Sequence, residues 1–423
     1  LVTVFFLGAC APLVVVEEAP DVQGAQGMVA SAHPLASQVG VDILQAGGTA
    51  VDAAVAVGFA LGIVEPNASG IGGGGLMLIR FADSGKVVFI DSREKAPAAA
   101  TADMFELDEK GRVKPDERGF NPVAIGGRSI AVPGEIAGLL TALEQYGTMS
   151  RNEVIQPAVD RARQGVPVSE VLASMIAANY DTLLTFPASE AIYLTDGFPK
   201  LAGEKVSNTD LADTLELIAQ QGRDAFYTGR VAESIVAAVQ ADGGIITLED
   251  LASYDVSFRN PVIGSYRGYQ IVSASPPSSG GAHVIELLNI MENFNLRKMG
   301  FNTPESIHAW SEAMKLVYAD RAKYMGDTDF TNVPLQGLTS KEYALSQFRR
   351  IDMNQAMQRA DAGDPWQNES GSTTHFSVVD SKGNMVAYTK TVNHFFASGI
   401  TAPGTGVLLN DQMDDFDKQP GQA

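Results

Sequence analysis

The sequence has almost none of the residues that build disulfides and zinc sites. It contains one cysteine, Cys10, in 423 residues, so it offers no internal disulfide. No metal-ligand spacing connects the five histidines, which are His33, His283, His308, His375 and His394. Zinc sites need clustered Cys, His or acidic ligands. We therefore expect no metal and no cofactor.

Basic residues are also scarce. The chain has 30 Lys and Arg against 50 Asp and Glu, which gives a formal net charge of -20. This balance argues against nucleic acid or an anionic membrane surface as the main partner, because both attract positive charge. Hydrophobic residues make up 45% of the chain, enough for a large buried core. The length is compatible with two or three domains or with one large layered domain, and no internal repeat or low-complexity tract is present.

The first residues have the character of an export signal. The apolar run 1–9 is too short to span a bilayer, and it ends in Leu-Gly-Ala before Cys10. This is typical of a bacterial lipoprotein signal, in which the cysteine is lipidated. The alternative is an ordinary secretory signal with a small-x-small cleavage site at 9–11. Both predict export. We favour the lipoprotein, with residues 10–26 as a tether and the protein lipid-anchored in the periplasm.

Helical and strand patterns alternate along the rest of the chain. Pro34 suits the first turn of a helix that ends at Gly47. Further predicted helices are 50–61, 133–146, 210–221, 231–240, 282–293 and 303–324, and predicted strands are 76–81, 86–91 and 266–274. In the helix 303–324, helical spacing places four apolar residues in the core, namely Ile307, Trp310, Met314 and Val317. Residues 150–262 contain no obvious catalytic cluster and are interpreted as scaffold.

A glycine-rich run at 70–75 resembles a phosphate-binding loop at first sight. It lacks the Gly-Lys-Ser/Thr ending, and a strand rather than a helix follows it. We therefore reject nucleotide binding and expect these glycines to allow close approach of another backbone or a ligand.

A predicted hairpin brings two threonines together near the C-terminal end. Strand-like residues begin at Thr373 and continue to 380, and a second strand covers 385–393. With a three-residue loop at 381–383, Thr373 lies opposite Thr391, with Cβ atoms about 5 Å apart. A threonine exposed by a cut just before it is a nucleophile whose own α-amine is the base, since that amine has a pKa of about 7.7 to 8.0. The alternative is a threonine pair that only favours β structure, and these residues alone favour that alternative.

Charged groups follow two other predicted strands. Arg93 lies at the end of strand 86–91, where a guanidinium can bind a carboxylate in a bidentate pair. A structural pair with a nearby acid such as Glu94 explains it equally well. Gln412 and Asp415 follow a short apolar strand at 407–409, and such an acid either receives a cationic group or is simply solvated.

Several motifs, taken in order, resemble those of the γ-glutamyltranspeptidase (glutathione hydrolase) family of N-terminal nucleophile hydrolases. The resemblance covers about residues 27–420. Its most specific segments are GIGGGG at 70–75, DSREKAP at 91–97, PPSSGG at 276–281, TTHFSVVD at 373–380, TVN at 391–393 and NDQMDDF at 410–416. Together these motifs favour the nucleophile interpretation of Thr373.

The resemblance implies an α+β fold, a four-layer αββα sandwich, made as an inactive precursor. Cleavage between Ser372 and Thr373 would separate a large subunit, 27–372, from the start of a small subunit, 373–423. Thr373 would attack γ-glutamyl amides such as glutathione, and water, an amino acid or a dipeptide would accept the γ-glutamyl group. Thr391 matches the threonine that hydrogen-bonds the nucleophile. Arg93 matches the residue that binds the substrate α-carboxylate. The family residues around the substrate α-amino group are matched by Asn393, Gln412 and Asp415.

The chain also departs from the family pattern. The family's small subunit continues through a Ser-Ser pair and a Gly-Gly pair whose amides form an oxyanion hole, and no residue before Ala423 matches them. We therefore expect a piece of a longer protein that lacks residues at both ends and is inactive by itself, because an oxyanion donor contributes about a hundred- to a thousandfold in rate. The bulky residues His394, Phe395 and Phe396 predict a different acceptor or substrate preference.

Two rival functions follow from the same residues. One is an acylase for another amide, such as a cephalosporin side chain, but Arg93 together with Asp415 favours an α-amino acid head group. The other is a non-catalytic envelope lipoprotein, against which the presence of Thr373, Thr391 and Asn393 argues. The relative importance of hydrolysis and transfer stays open.

Overall fold

The computed structural model describes residues 23–364 and 374–416. Its strands are β1 Gly27–Ala30, β2 Gly74–Arg80, β3 Val87–Ser92, β4 Val166–Pro167, β5 Leu194–Thr195, β6 Phe198–Pro199, β7 Lys205–Val206, β8 Ser257–Arg259, β9 Val262–Tyr266, β10 Tyr269–Ser273, β11 Thr374–Asp380, β12 Met385–Thr391, β13 Thr401–Ala402 and β14 Val407–Leu408. Six of them form one antiparallel sheet in the order β1-β11-β12-β2-β3-β8.

Helices surround this sheet and make the fold α+β. They are α1 Pro34–Gln45, α2 Ala50–Val64, α3 Glu135–Tyr146, α4 Arg151–Gln164, α5 Glu170–Ala178, α6 Tyr180–Thr185, α7 Pro187–Tyr193, α8 Thr209–Gln221, α9 Asp224–Tyr227, α10 Gly229–Ala241, α11 Leu248–Ala252, α12 Gly280–Met291, α13 Leu296–Met299, α14 Pro304–Tyr324, α15 Leu335–Leu338 and α16 Lys341–Phe348. Single 3-10 turns occur at Gly127–Ser129 and Gln412–Asp415.

Helix α2 lies at the centre of the main core. Every residue of α2 is buried, and Asp52 is the one polar residue of this helix. Thr49 begins the helix with a capping box, and Asp52 also accepts the backbone N–H groups of Thr148 and Met149 at 2.8 and 2.9 Å. Alternate residues of β11 and β12 belong to the same apolar cluster, among them Phe376, Val378, Val386 and Tyr388. The core therefore fixes which face of the sheet is covered.

The hairpin β11–β12 has the predicted loop and register. Asp380 N–H donates to Asn384 O at 3.1 Å, and the intervening residues 381–383 form the loop. Thr374 faces Lys390 and Val379 faces Met385. The Asp380 carboxylate accepts from the backbone of Lys382, Asn384 and Ala50, which fixes the turn against α2.

One predicted strand has a different start, and the predicted core face of one helix is wrong. The strand expected at 266–274 is β10 Tyr269–Ser273, because Tyr266 ends β9 and the turn between the two strands contains Arg267 and Gly268, both of which have positive φ. In α14, Ile307 is 54% exposed and Met314 is 42% exposed. Only Val317 of the four expected core residues is fully buried, while Trp310 packs against the neighbouring apolar cluster as a partly buried side chain.

Apart from Leu316 and Val317, the buried residues of α14 are small apolar or polar residues. They include Ala309, Ala313, Glu312, Asp320 and Tyr324. A pattern based on large apolar residues fails here because buried acids with partners elsewhere in the chain replace them. Within the part of the chain that the structure describes, no helix is both long and apolar enough to cross a bilayer.

Candidate active site

The candidate site lies where the ends of β2, β3 and β12 meet the segment after β14. The glycine run at 70–75 passes between these elements. A Cβ at Gly74 would lie 2.5 Å from Ser92 O and 2.7 Å from Glu94 Oε2, and one at Gly73 would overlap Thr391 O. Only glycine fits such backbone contact. The expectation of close backbone approach is confirmed.

Helix α3 is joined to the same run by its first turn. The N–H groups of Gly134 and Glu135 both donate to Gly73 O at 2.9 Å. Helix N-termini have unpaired N–H donors, so a carbonyl at this place satisfies two of them. The glycine run is therefore held from the sheet side and from the helix side.

Arg93 extends from the end of β3 and contacts two acids. Its Nη2 lies 2.7 Å from Asp415 Oδ2, and its Nε lies 3.8 Å from Glu94 Oε2. Its backbone is fixed by Asp91, whose Oδ1 accepts its N–H at 3.0 Å, and by Tyr254, whose hydroxyl donates to its carbonyl at 2.8 Å. The Arg93 side chain is 22% exposed, so it is only partly buried. The structure is therefore compatible with both predicted roles of Arg93, binding of a substrate carboxylate and pairing with a nearby acid.

Glu94 is a part of the site that the sequence did not reveal as such. Its side chain is completely buried, and neither carboxyl oxygen has a hydrogen-bond partner among the described residues. Burial raises the pKa of Glu94 to about 8, against the opposing effect of Arg93. The signal in the sequence was an acid directly after Arg93, which was interpreted only as a possible structural partner of that arginine.

Gln412 and Asp415 lie together in the 3-10 turn after β14. Gln412 Nε2 donates to Asp415 Oδ2, the oxygen that also contacts Arg93. Asn410 fixes this turn, because its Nδ2 donates to Gly72 O at 2.9 Å and to Ala131 O at 2.8 Å. Its Oδ1 accepts the N–H of Gln412 at 2.9 Å. The predicted residues Arg93, Gln412 and Asp415 are thus brought into direct contact.

Thr391 and Asn393 form the other side of the site. Thr391 ends β12 and is buried, and its Oγ1 accepts the Asn393 N–H at 2.9 Å. Asn393 has a φ of 80°, and its Nδ2 donates to Asp411 O at 3.1 Å. This bond connects Asn393 to the segment that carries Gln412 and Asp415. A non-glycine residue at positive φ is uncommon and is often found at functional sites.

A histidine–aspartate pair borders this side of the site. His394 Nδ1 lies 2.6 Å from Asp411 Oδ2, and the His394 backbone N–H donates to Asp411 Oδ1 at 3.0 Å. The hydrogen bond to Asp411 raises the pKa of His394, which is 56% exposed. Asp411 itself is buried, and burial raises its pKa. Sequence analysis noted His394 only for its size and missed its partner, because the two residues meet only after the chain has folded.

Three predicted residues lie outside the described part of the chain. They are Ser372, Thr373 and Cys10. Among the described residues, no group of three or more His, Cys, Asp or Glu is arranged to hold a metal ion.

Comparisons with known proteins identify the family of the chain. The family model "Gamma-glutamyltranspeptidase" matches residues 36–423. The chain is 47% identical over 403 residues to the glutathione hydrolase proenzyme of Escherichia coli (strain K12). The alignment covers 95% of this chain and 68% of that protein.

Two solved structures share the fold. The crystal structure of Helicobacter pylori gamma-glutamyltranspeptidase has a TM-score of 0.76 and 42% identity, covering 81% of this chain and 97% of that chain. The cephalosporin acylase from Bacillus halodurans has a TM-score of 0.85 and 30% identity, covering 98% of this chain and 74% of that chain. The α+β fold class of the N-terminal nucleophile hydrolases, predicted from the sequence, is confirmed. The chain belongs to the gamma-glutamyltranspeptidase family of enzymes.

Proposed function

We propose that this protein is a self-cleaving precursor of a γ-glutamyl hydrolase and transferase that acts on glutathione and other γ-glutamyl amides. The contact between Arg93 and Asp415 at 2.7 Å is the observation that carries the proposal. An α-amino acid head group has one carboxylate and one ammonium group. Arg93 complements the carboxylate and Asp415 the ammonium, so the pair matches this head group and not a plain acyl chain.

Two further side chains would orient the ammonium group. Gln412 contacts Asp415 and has a buried Oε1 without a hydrogen-bond partner among the described residues. Asn393 is held in its unusual backbone conformation by Thr391 and Asp411. Amide oxygens accept N–H donors, so both residues suit an ammonium ligand.

Maturation is proposed to begin at the bond between Ser372 and Thr373. The Thr373 hydroxyl attacks the Ser372 carbonyl, the acyl group moves from nitrogen to oxygen, and water then hydrolyses the ester. The products are a large subunit from 27 to 372 and a small subunit that starts at Thr373. The pairing of Thr374 with Lys390 supports this proposal, because the same register, continued by one residue, would place Thr373 opposite Thr391.

In the matured enzyme, Thr373 Oγ would attack the γ-glutamyl carbonyl while its own α-amine accepts the hydroxyl proton. The proton passes to the leaving amine, and a γ-glutamyl ester of Thr373 remains. Water then releases glutamate, or the amine of an amino acid or dipeptide takes the γ-glutamyl group. Thr391 is the proposed partner of the nucleophile hydroxyl, since it lies at the end of β12 beside the site.

Intact mass and N-terminal sequencing of the full-length protein test this function, with Thr373→Ala as the control. We expect a new N-terminus at Thr373 that is absent from the control, and hydrolysis of a γ-glutamyl anilide by the cut protein. A protein that stays uncut after prolonged incubation would contradict the maturation step and favour the non-catalytic alternative. Adding glycylglycine to the anilide assay then measures transfer against hydrolysis.

An acylase for other amides is the second candidate, because the Bacillus halodurans neighbour is a cephalosporin acylase. The same purified protein is offered a γ-glutamyl anilide and a glutaryl amide, which lacks the α-amine. We expect strong preference for the γ-glutamyl substrate, since a glutaryl amide has no ammonium group to pair with Asp415, whose partner among the described cations is then Arg93 alone. Equal rates would favour the acylase.

We also propose that the protein is exported to the periplasm and lipid-anchored through Cys10. The apolar run 1–9 before this cysteine supports the proposal. Mass spectrometry of the N-terminal peptide from membrane fractions tests it, with Cys10→Ser as the control. A lipidated Cys10 is expected, whereas a soluble periplasmic protein cleaved near residue 9 would favour the ordinary secretory signal.

A further inference from the structure

Asp411 lies between the two segments that carry the proposed ammonium-binding residues. Asn393 belongs to the segment after β12, whereas Gln412 and Asp415 belong to the 3-10 turn that follows Asp411 directly. Asn393 and Asp411 are 18 residues apart along the chain. Contacts across this separation therefore have to hold the two sides of the ammonium site together.

The backbone of Asp411 makes three such contacts. Its N–H donates to Val392 O at 3.2 Å, and its carbonyl accepts from Asn393 Nδ2 and from the Asp414 N–H, both at 3.1 Å. The contact occupies the Asn393 amide nitrogen, so the oxygen Oδ1 of the same amide is the atom that can accept from an ammonium group. One backbone carbonyl thus orients a proposed substrate ligand and closes the turn that leads to Asp415.

The carboxylate of Asp411 contacts His394 twice. Oδ1 accepts the His394 backbone N–H at 3.0 Å, and Oδ2 lies 2.6 Å from Nδ1 of the ring. The Asp411 side chain is completely buried, and both of its oxygens are engaged inside the protein. Asp411 therefore does not bind the substrate itself, and its effect on binding passes through the residues that it holds.

The segment that Asp411 holds has a strained backbone. Asn393, Phe396 and Ala397 have φ values of 80°, 60° and 46°, in the left-handed region that few residues other than glycine adopt. Such conformations persist only where the surrounding structure fixes them. At the Asn393 end of the segment, the contacts with Asp411 and Thr391 supply that constraint.

The His394 ring supports the charged form of the buried carboxylate. Burial raises the pKa of Asp411, and the hydrogen bond from His394 opposes that shift. A buried carboxylate is stable as an ion only when it is paired and hydrogen-bonded. The ring therefore stabilises the ionised form, which accepts two hydrogen bonds at once.

We propose that Asp411 is a positioning residue for the ammonium group of the substrate, with His394 as its supporting partner. The proposal rests on the proposed function, because it needs an α-amino acid head group at Arg93 and Asp415. Loss of the Asp411 carboxylate releases the peptide between Asn393 and His394, and the strained backbone relaxes. The Asn393 oxygen then leaves the place at which it accepts an ammonium N–H. Arg93 is held at the end of β3 and keeps the carboxylate of the head group.

Competition by L-glutamate and by glutarate tests this role in the matured full-length enzyme. The two dicarboxylates have the same chain length, but only L-glutamate has an ammonium group. The Ki of each is measured against hydrolysis of a γ-glutamyl anilide, and the ratio of Ki for glutarate to Ki for L-glutamate reports how well the ammonium group is bound. In Asp411→Ala we expect this ratio to fall about ten- to a hundredfold, because a hydrogen bond to a charged group is lost.

Two further variants separate the two contacts of the carboxylate. Asp411→Asn keeps an oxygen that can accept the His394 N–H, so its ratio is expected to stay within about threefold of the unmodified enzyme. His394→Ala removes the ring but keeps the backbone N–H, and its ratio is expected to fall about two- to tenfold. In the combined variant His394→Ala/Asp411→Ala, loss of the ring is expected to have no further effect.

Asp380→Ala is the matched control. Asp380 is also a buried carboxylate that accepts backbone N–H groups, those of Lys382 and Asn384, but it lies at the other end of the hairpin β11–β12. Its loss is expected to lower Tm and to leave the Ki ratio unchanged. General damage to the fold is thereby separated from loss of ammonium binding.

An unchanged ratio in Asp411→Ala and His394→Ala, or an equal fall in Asp380→Ala, overturns the positioning role and leaves the proposed function intact. A ratio as low in Asp411→Asn as in Asp411→Ala overturns it as well. If Asp411→Ala yields no matured enzyme, the ratio in His394→Ala decides. An unmodified enzyme that binds L-glutamate no better than glutarate overturns the proposed function itself.

Discussion

At the scale of single residues, the candidate site depends on the position of one guanidinium between two acids. Arg93 contacts exposed Asp415 at 2.7 Å and buried Glu94 at 3.8 Å. Asp415 also receives a bond from Gln412. Arginine offers a rigid planar group that can bind two partners at once, whereas lysine offers a point charge. The geometry around residue 93 therefore requires arginine.

Replacing this residue by lysine tests that requirement. In matured Arg93→Lys we expect kcat/KM for a γ-glutamyl anilide to fall roughly ten- to a hundredfold, mainly through KM, because one charge-assisted hydrogen bond contributes about 1.5–3 kcal/mol. Steady-state kinetics measure the change, and Arg112→Lys in an exposed loop is the control. An unchanged KM would show that Arg93 does not bind the substrate carboxylate.

The raised pKa of Glu94 predicts that the free energy of unfolding depends on pH. Its pKa is raised by burial to about 8 from an ordinary value of 4.5, so between these values the folded protein keeps a proton that the unfolded chain releases. The contribution of Glu94 to the free energy of unfolding is complete below about pH 4.5 and is lost as the pH rises towards 8.

Urea unfolding at several pH values measures this effect. In Glu94→Gln the decrease over that range is expected to become smaller, because glutamine does not ionise, whereas the exposed Glu109→Gln is expected to leave it unchanged. Identical pH profiles of Glu94→Gln and the unmodified protein would contradict the buried, protonated state.

At the scale of elements, the site is made by backbone contacts that only glycine permits. Strand β2 begins at Gly74, which faces Thr391 of β12 on one side, while its neighbour Gly75 faces Ser92 of β3 on the other. Interiors are packed at the density of organic crystals, so an added methyl group has nowhere to go unless the strands separate. Separation would move Thr391 and Arg93 apart.

Gly74→Ala is expected to destabilise the protein by about 1–3 kcal/mol, the usual cost of overpacking, and to lower matured activity. Its Cβ would meet Ser92 O at 2.5 Å, whereas in the control Gly280→Ala the nearest atom is Ser278 Oγ at 3.6 Å. Chemical unfolding compares the two. Equal stability of both variants would mean that β2 and β3 adjust without cost.

At the scale of the whole molecule, one buried ion pair joins the sheet to two helices. Lys390 of β12 lies 2.8 Å from Glu135 of α3, and neither side chain is exposed to solvent. Lys390 Nζ also donates to Gly58 O of α2 at 2.8 Å, and the Tyr388 hydroxyl donates to Glu135. Burial raises the pKa of Glu135, with Lys390 opposing that shift. The pair connects the strand that carries Thr391 to the central core.

Breaking this pair from one side leaves an uncompensated buried charge. Lys390→Met is therefore expected to cost about 3–5 kcal/mol in the free energy of unfolding. Adding Glu135→Gln removes the stranded charge and should restore a large part of that loss, which a double-mutant cycle measures. A single variant as stable as the unmodified protein, or a double variant no better than the single one, would contradict this role.

The sequence by itself determined much of the local structure and named the residues that are proposed for the site. Pro34 and the turn 381–383 predicted where α1 begins and where the hairpin turns, because the first turn of a helix and the geometry of a turn depend on neighbouring residues. The three-residue loop also predicted the register of the described pairs of β11 and β12, from Thr374 with Lys390 to Val379 with Met385. The motifs predicted the family.

Only the tertiary structure decided which distant groups share one environment. The contact of His394 with Asp411 and the ion pair between Lys390 and Glu135 join segments whose separation along the chain carries no periodic signal. The burial of the Glu94 carboxyl is likewise a product of the fold. The same applies to α14, whose buried polar face has its partners about forty residues further along the chain. Burial and long-range contacts are properties of the folded chain. Local patterns alone therefore predicted a core face of large apolar residues for α14, whereas its buried face includes Glu312 and Asp320.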